Sequence, residues 1–228
     1  MKSVFLTLSL AALLTVTGTA QTLKSSLKHI TITGNSIAQM MGGFQQHLFP
    51  TVPPNYVTIR GQYGFTCNML LPLVTYLVPA NTEIAVLIDS TNDVDTGVDL
   101  QTHYLCMQQT ISALWMRNRA IKVVVALTPP QVDGNDGCPG YTDERATIQA
   151  YNDAYNGVPS SGYQGLAADF PGVVTIVDVW TPSAQSDDYA IPADMTGACG
   201  IHPGPPNVWT DSWAHFSHAL TASVYEVM

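Results

Sequence analysis

Five short runs of β-branched and apolar residues punctuate the chain, at His29 to Thr33, Tyr56 to Ile59, Glu83 to Ile88, Lys122 to Leu127 and Val173 to Val179. Between them the apolar period changes. Ile37, Met40, Met41, Phe44 and Leu48 recur at helical spacing, as do Leu100, Tyr104, Met107, Ile111 and Leu114. Near the end, Trp209, Trp213, Phe216, Leu220 and Val224 make one apolar stripe, with Asp211 at the positive end of the helix dipole. A further helix starts near Thr142, with Asp143 and Glu144 in its first turn. Strands alternating with helices predict βαβ units and a parallel sheet. The third and fourth runs are apolar nearly throughout, as strands covered on both faces must be, and they predict the sheet centre. The stretches Pro129 to Tyr141 and Pro182 to Pro206, rich in Pro, Gly, Asp and Ser, predict loops.

The length of 228 residues, 46% hydrophobic, suits one compact domain. Its first 20 residues have a different character. Met1-Lys2, an apolar run from Val4 to about Val16, and then Gly18-Thr19-Ala20 read as a signal peptide with a small-residue cleavage site. The expected organisation is therefore a leader over 1–20 and a single domain over 21–228, secreted or periplasmic and without stable membrane insertion. The formal charge of −9 and the lack of basic runs argue against nucleic acid as a partner. Cys67, Cys106, Cys138 and Cys199 are even in number with no CxxC spacing, which in an exported chain points to disulfides rather than a metal or redox centre.

In a parallel sheet of this kind, ligands bind beyond the carboxyl ends of the strands, near the point where strand order reverses. Three polar segments fall there. Ser36 follows the first run, Gly64 the second, and Asn92 the third. A serine hydroxyl needs a neighbouring base, and the oxyanion it creates needs preplaced donors. Ser36 and Gly64 would offer backbone N–H groups and Asn92 a side-chain amide. His202, in a loop stiffened by Pro203, Pro205 and Pro206, would be the base.

These residues resemble the sequence blocks of the SGNH, or GDSL-type, hydrolases. Ile32-Thr33-Gly34-Asn35-Ser36-Ile37 is similar to the Gly-Asp-Ser block, and Arg60-Gly61-Gln62-Tyr63-Gly64-Phe65-Thr66 to the glycine-bearing second block. Ser90-Thr91-Asn92-Asp93 resembles the Gly-x-Asn-Asp block, and Gly200-Ile201-His202-Pro203 the final histidine block. The resemblance implies a three-layer α/β/α sandwich, flavodoxin-like, around a five-stranded parallel sheet of order 2-1-3-4-5. It also implies hydrolysis of acyl or acetyl esters through an acyl-enzyme. Ser36 is then nucleophile, His202 base, and Ser36 N–H, Gly64 N–H and Asn92 the oxyanion hole. No cofactor or metal is implied, and the partner is a small ester, a lipid or an acylated glycan.

Two positions depart from the pattern. Asn35 replaces the usual aspartate before the serine, and Cys199 occupies the place of the acid three residues before the histidine. An acid there normally fixes the imidazole tautomer, so three alternatives stay open. Asp194 orients His202, a backbone carbonyl does so in a Ser-His dyad, or catalysis is weak and the scaffold is a noncatalytic extracellular module that binds glycans. A flavodoxin-like redox protein is disfavoured, because no Ser/Thr/Gly phosphate cradle follows the first strand. The favoured disulfide pairing joins Cys138 to Cys199, stapling the loop after strand four to the histidine loop. Cys67 then pairs with Cys106, from helices expected to be neighbours.

Overall fold

The computed structural model describes residues 27–128, 145–179 and 211–228. The strands are β1 (Ile30–Gly34), β2 (Val57–Gly61), β3 (Ile84–Ile88), β4 (Lys122–Ala126) and β5 (Val174–Val177). Around them lie α1 (Ser36–Met40), α2 (Gln45–Leu48), α3 (Cys67–Leu70), α4 (Val74–Leu77), α5 (Thr91–Asp95), α6 (Leu100–Arg117), α7 (Arg145–Asn156), α8 (Leu166–Asp169) and α9 (Asp211–Val227). The start of the helix expected near Thr142, the two Pro- and Gly-rich stretches, the leader and Trp209 lie outside the described residues.

All five strands are parallel and their order is β2-β1-β3-β4-β5, as the sequence reading anticipated. Alternation along each strand sends side chains to two cores. On one face Ile30, Ile32, Val86, Ile88 and Val124 pack with Ile37 and Leu48 and with Trp213, Phe216, Leu220 and Val224 of α9, the last four fully buried. On the other, Ala85, Leu87, Val123 and Val125 meet Val74, Met107, Ile111 and Leu114, together with Tyr155 and Leu166. Helices thus cover both faces, which is why β3 is buried at every position. No helix among the described residues is long and apolar enough to cross a membrane.

Strand ends differ slightly from the sequence reading, and pairing explains one difference. β2 runs on through Arg60 to Gly61 because Gly61 keeps register with Gly34 of β1, which in turn pairs with Ile88 of β3. Both glycines are sterically required. A Cβ on Gly34 would lie 1.9 Å from the carbonyl oxygen of Ile88, and one on Gly61 would lie 2.1 Å from the backbone nitrogen of Gln39. Close approach at these two points draws the carboxyl ends of β2, β1 and β3 together beneath the start of α1.

Candidate active site

Ser36 is the first residue of α1, and the turn that presents it is built by Asn35. Asn35 N–H donates to the Ile88 carbonyl (2.9 Å), its own carbonyl accepts from Gln39 N–H (3.1 Å), and Oδ1 accepts from Ile37 N–H (2.9 Å). The amide side chain therefore caps the helix as an aspartate would. Ser36 is only 6% exposed, enclosed at the sheet edge.

Gly64 lies on the loop after β2 with a φ of +72°, a left-handed conformation that favours glycine. Among the described residues a Cβ there would meet nothing within 4 Å, so the demand is conformational. The loop around Gly64 is tied at successive points. Gln62 N–H donates to the Gly34 carbonyl (2.9 Å), Tyr63 N–H to Gln39 Oε1 (2.7 Å) and Phe65 N–H to the Gln62 carbonyl (3.4 Å). Cys67 N–H donates to Asp93 Oδ2 over 2.8 Å. Of the amides from Gln62 to Phe65, only that of Gly64 donates to nothing among the described residues. A backbone donor left over in an otherwise tied loop is available to a ligand.

Asn92 stands in the first turn of α5, directly after β3. Its Nδ2 donates to the Phe65 carbonyl over 2.8 Å. A primary amide has two N–H bonds, so this contact orients the group and leaves one donor over. The N-cap of α5 is Ser90 rather than Asn92, and Ser90 Oγ accepts a bond from Thr128 Oγ1 at 2.6 Å. Ser36, Gly64 and Asn92 thus come from the ends of three adjacent strands. His202, Asp194, Cys138 and Cys199 lie outside the described residues.

The second predicted disulfide is present: Cys67 at the start of α3 is bonded to Cys106 of α6. Beside it lies a buried polar cluster that the sequence reading missed. Asp93 Oδ1 is 3.5 Å from His103 Nδ1, both side chains having no exposure, and His103 Nε2 is hydrogen-bonded to the Tyr155 hydroxyl. Asp89, one residue beyond β3, is 2% exposed, and neither of its carboxylate oxygens has a partner among the described residues. Burial, then the nearby Asp93, pushes its pKa well above the usual carboxylate value. The phenol of Tyr155 is likewise pushed up by burial, then by Asp89 and Asp93. An acid placed immediately after a wholly apolar strand was the available signal for Asp89. His103 carried none, because a lone histidine within an amphipathic helix looks like any other.

An α/β/α sandwich with a serine at the end of its first strand and polar donors at the next two defines a class of doubly wound parallel-sheet folds whose ligands meet the carboxyl ends of the strands. More narrowly, the chain has the fold of the SGNH, or GDSL-type, hydrolases. A GDSL-like lipase from Bacteroides thetaiotaomicron VPI-5482 is 18% identical with a TM-score of 0.66, the match covering 90% of this chain and 91% of that one. A Streptococcus pneumonia protein described by reference to platelet activating factor gives 18% and 0.68, with 87% and 84% covered. A carbohydrate esterase family 3 member from Talaromyces cellulolyticus gives 17% and 0.54, with 87% and 96% covered. No protein-family model matches this chain, and no curated protein gives a significant match. At such identities the likeness defines the fold.

Proposed function

We propose that the protein is an exported serine esterase that cleaves acyl or acetyl esters through an acyl-enzyme. The observation that carries the reading is the Gly64 N–H, without an acceptor among the described residues in a loop tied on both sides, next to an Asn92 amide already aimed by Phe65. Donors prepared in advance stabilise an oxyanion without reorganising as charge develops. Ser36 Oγ attacks the acyl carbon while His202 takes its proton, and the carbonyl oxygen becomes the oxyanion held by Ser36 N–H, Gly64 N–H and Asn92. On collapse His202 returns the proton to the leaving alkoxide, releasing the alcohol. Water then attacks the acyl-enzyme by the same route, and the acid leaves with Ser36 restored. Asp194 or a backbone carbonyl orients His202. Several fold neighbours, a GDSL-like lipase, an acetyl esterase and a carbohydrate esterase among them, agree with an ester substrate. The N-terminal leader supports export, and the substrate is a small ester, a lipid or an acylated glycan.

The test is a fluorophosphonate probe together with short-chain p-nitrophenyl esters. Wild-type protein should be labelled at Ser36 and hydrolyse the esters, and Ser36→Ala should lose both while melting normally. A folded wild-type protein that neither reacts nor hydrolyses would favour a glycan-binding module on the same scaffold.

A further inference from the structure

Behind the candidate oxyanion hole, four elements bring ionisable groups together in the interior. Asp89 comes from the end of β3, Asp93 from α5, His103 from α6, and Tyr151 and Tyr155 from α7. The His103 ring stacks on Tyr151 at 4.5 Å between centroids and lies 5.7 Å from Tyr155. Burying a carboxylate and an imidazole together is expensive unless each is well paired, so packing alone is a poor account of the cluster.

The proton arrangement follows from the partners. Burial keeps the Tyr155 phenol protonated, and it shares a hydrogen bond with His103 Nε2. With the phenol as donor, Nε2 accepts and the ring N–H sits on Nδ1. That nitrogen lies 3.5 Å from Asp93 Oδ1, within ion-pair distance, although the two atoms do not meet hydrogen-bond geometry. Asp93 is thus held at Oδ2 by the Cys67 amide at 2.8 Å and faced at Oδ1 by the His103 ring. Burial, then the neighbouring Asp93, pushes the Asp89 carboxyl beside it toward its protonated form.

We propose that His103 is a positioning residue for the oxyanion hole: through Asp93 and the Cys67 amide it sets the backbone of loop 62–67 that presents the Gly64 N–H. The proposal rests on the reading of Gly64 and Asn92 as oxyanion donors. Asp93 sits next to Asn92 in α5, so one short helix grips the loop twice, at the Phe65 carbonyl and at the Cys67 amide. The disulfide to Cys106 anchors the same residue to the helix that carries His103. Releasing Asp93 would let its carboxylate turn and loosen the Cys67 amide end of the loop that carries Gly64.

Two variants separate this from a packing role. His103→Phe keeps the ring and its stacking but removes both nitrogens, whereas His103→Asn restores a donor near the Nδ1 position. In the Phe variant, kcat on a p-nitrophenyl ester should fall about 100-fold, the effect of a roughly 1 Å misplacement, with KM little changed. Amide hydrogen exchange should quicken at residues 62–67 while β1 and β3 stay protected, and His103→Asn should recover much of both losses. If the Phe variant does not fold, Tyr155→Phe, which removes only the hydroxyl behind Nε2, should show a smaller change in the same places. Wild-type kcat in a folded Phe variant, unchanged exchange at 62–67, or exchange quickened evenly across the sheet would overturn the proposal. The exchange readout needs no activity, so an inactive wild type with loop-confined exchange changes would sink the esterase reading and leave the clamp standing.

Discussion

Asn92 Nδ2 donates to the carbonyl of Phe65 over 2.8 Å, so the third strand's loop holds the second strand's loop in place. On the proposed reading Asn92 therefore has two parts to play, oxyanion donor and clamp. Asn92→Ala removes both and should lower kcat on short-chain esters about 10²–10³-fold with a modest change in KM. Steady-state kinetics against p-nitrophenyl acetate decide it, with circular dichroism to show that the fold survives.

The two positive-φ glycines at the candidate site should be destabilised to different degrees by a methyl group. At Gly34 the new Cβ would sit 1.9 Å from Ile88 O, backbone against backbone, and Gly34→Ala should cost about 3 kcal/mol or more in urea denaturation. At Gly64 the Cβ would meet nothing among the described residues and only the left-handed backbone resists, so Gly64→Ala should cost about 1–2 kcal/mol. Equal losses at the two positions would contradict the geometry.

Joining Cys67 to Cys106 closes a loop between residues 39 apart. Replacing both with serine should lower stability by about 2–4 kcal/mol. Thermal melts of the double variant beside wild type, with and without reductant, provide the measurement. Reductant should move the wild-type melt toward that of the variant.

Asp89 gives stability a pH dependence of defined sign. Its folded-state pKa is raised by burial and then by Asp93, so above the ordinary carboxylate value the folded state holds a proton that the unfolded chain has lost. Its contribution is fully present below the unfolded pKa and declines as pH rises toward the folded one. Asp89→Asn has no proton to lose. Its stability relative to wild type should therefore grow above about pH 4, by up to about 1.4 kcal/mol per pH unit, until the folded group itself ionises. Urea denaturation of both proteins at pH 4, 5.5 and 7 gives the trend, and a constant difference would refute the assignment.

The sequence by itself determined the layers and the parts of the site whose signal is local. Apolar runs with helical intervals predicted five parallel strands, and the stripes on α6 and α9 were legible because burial on one helix face imposes its period on the residues. Ser36, Gly64 and Asn92 could be picked out because each follows a strand, where a parallel sheet must deliver its chemistry. What only the tertiary structure decided is how those segments hold one another. Gly34 is needed because Ile88 approaches it from another strand, and Asp93 matters because it reaches the Cys67 amide and His103, both distant in the chain. A residue's sequence neighbours report its period and its turn. They do not report which buried donor will face its carboxylate once the sheet has folded, and the group behind Asp93 is a lone histidine in an ordinary helix until α7 brings Tyr155 against it.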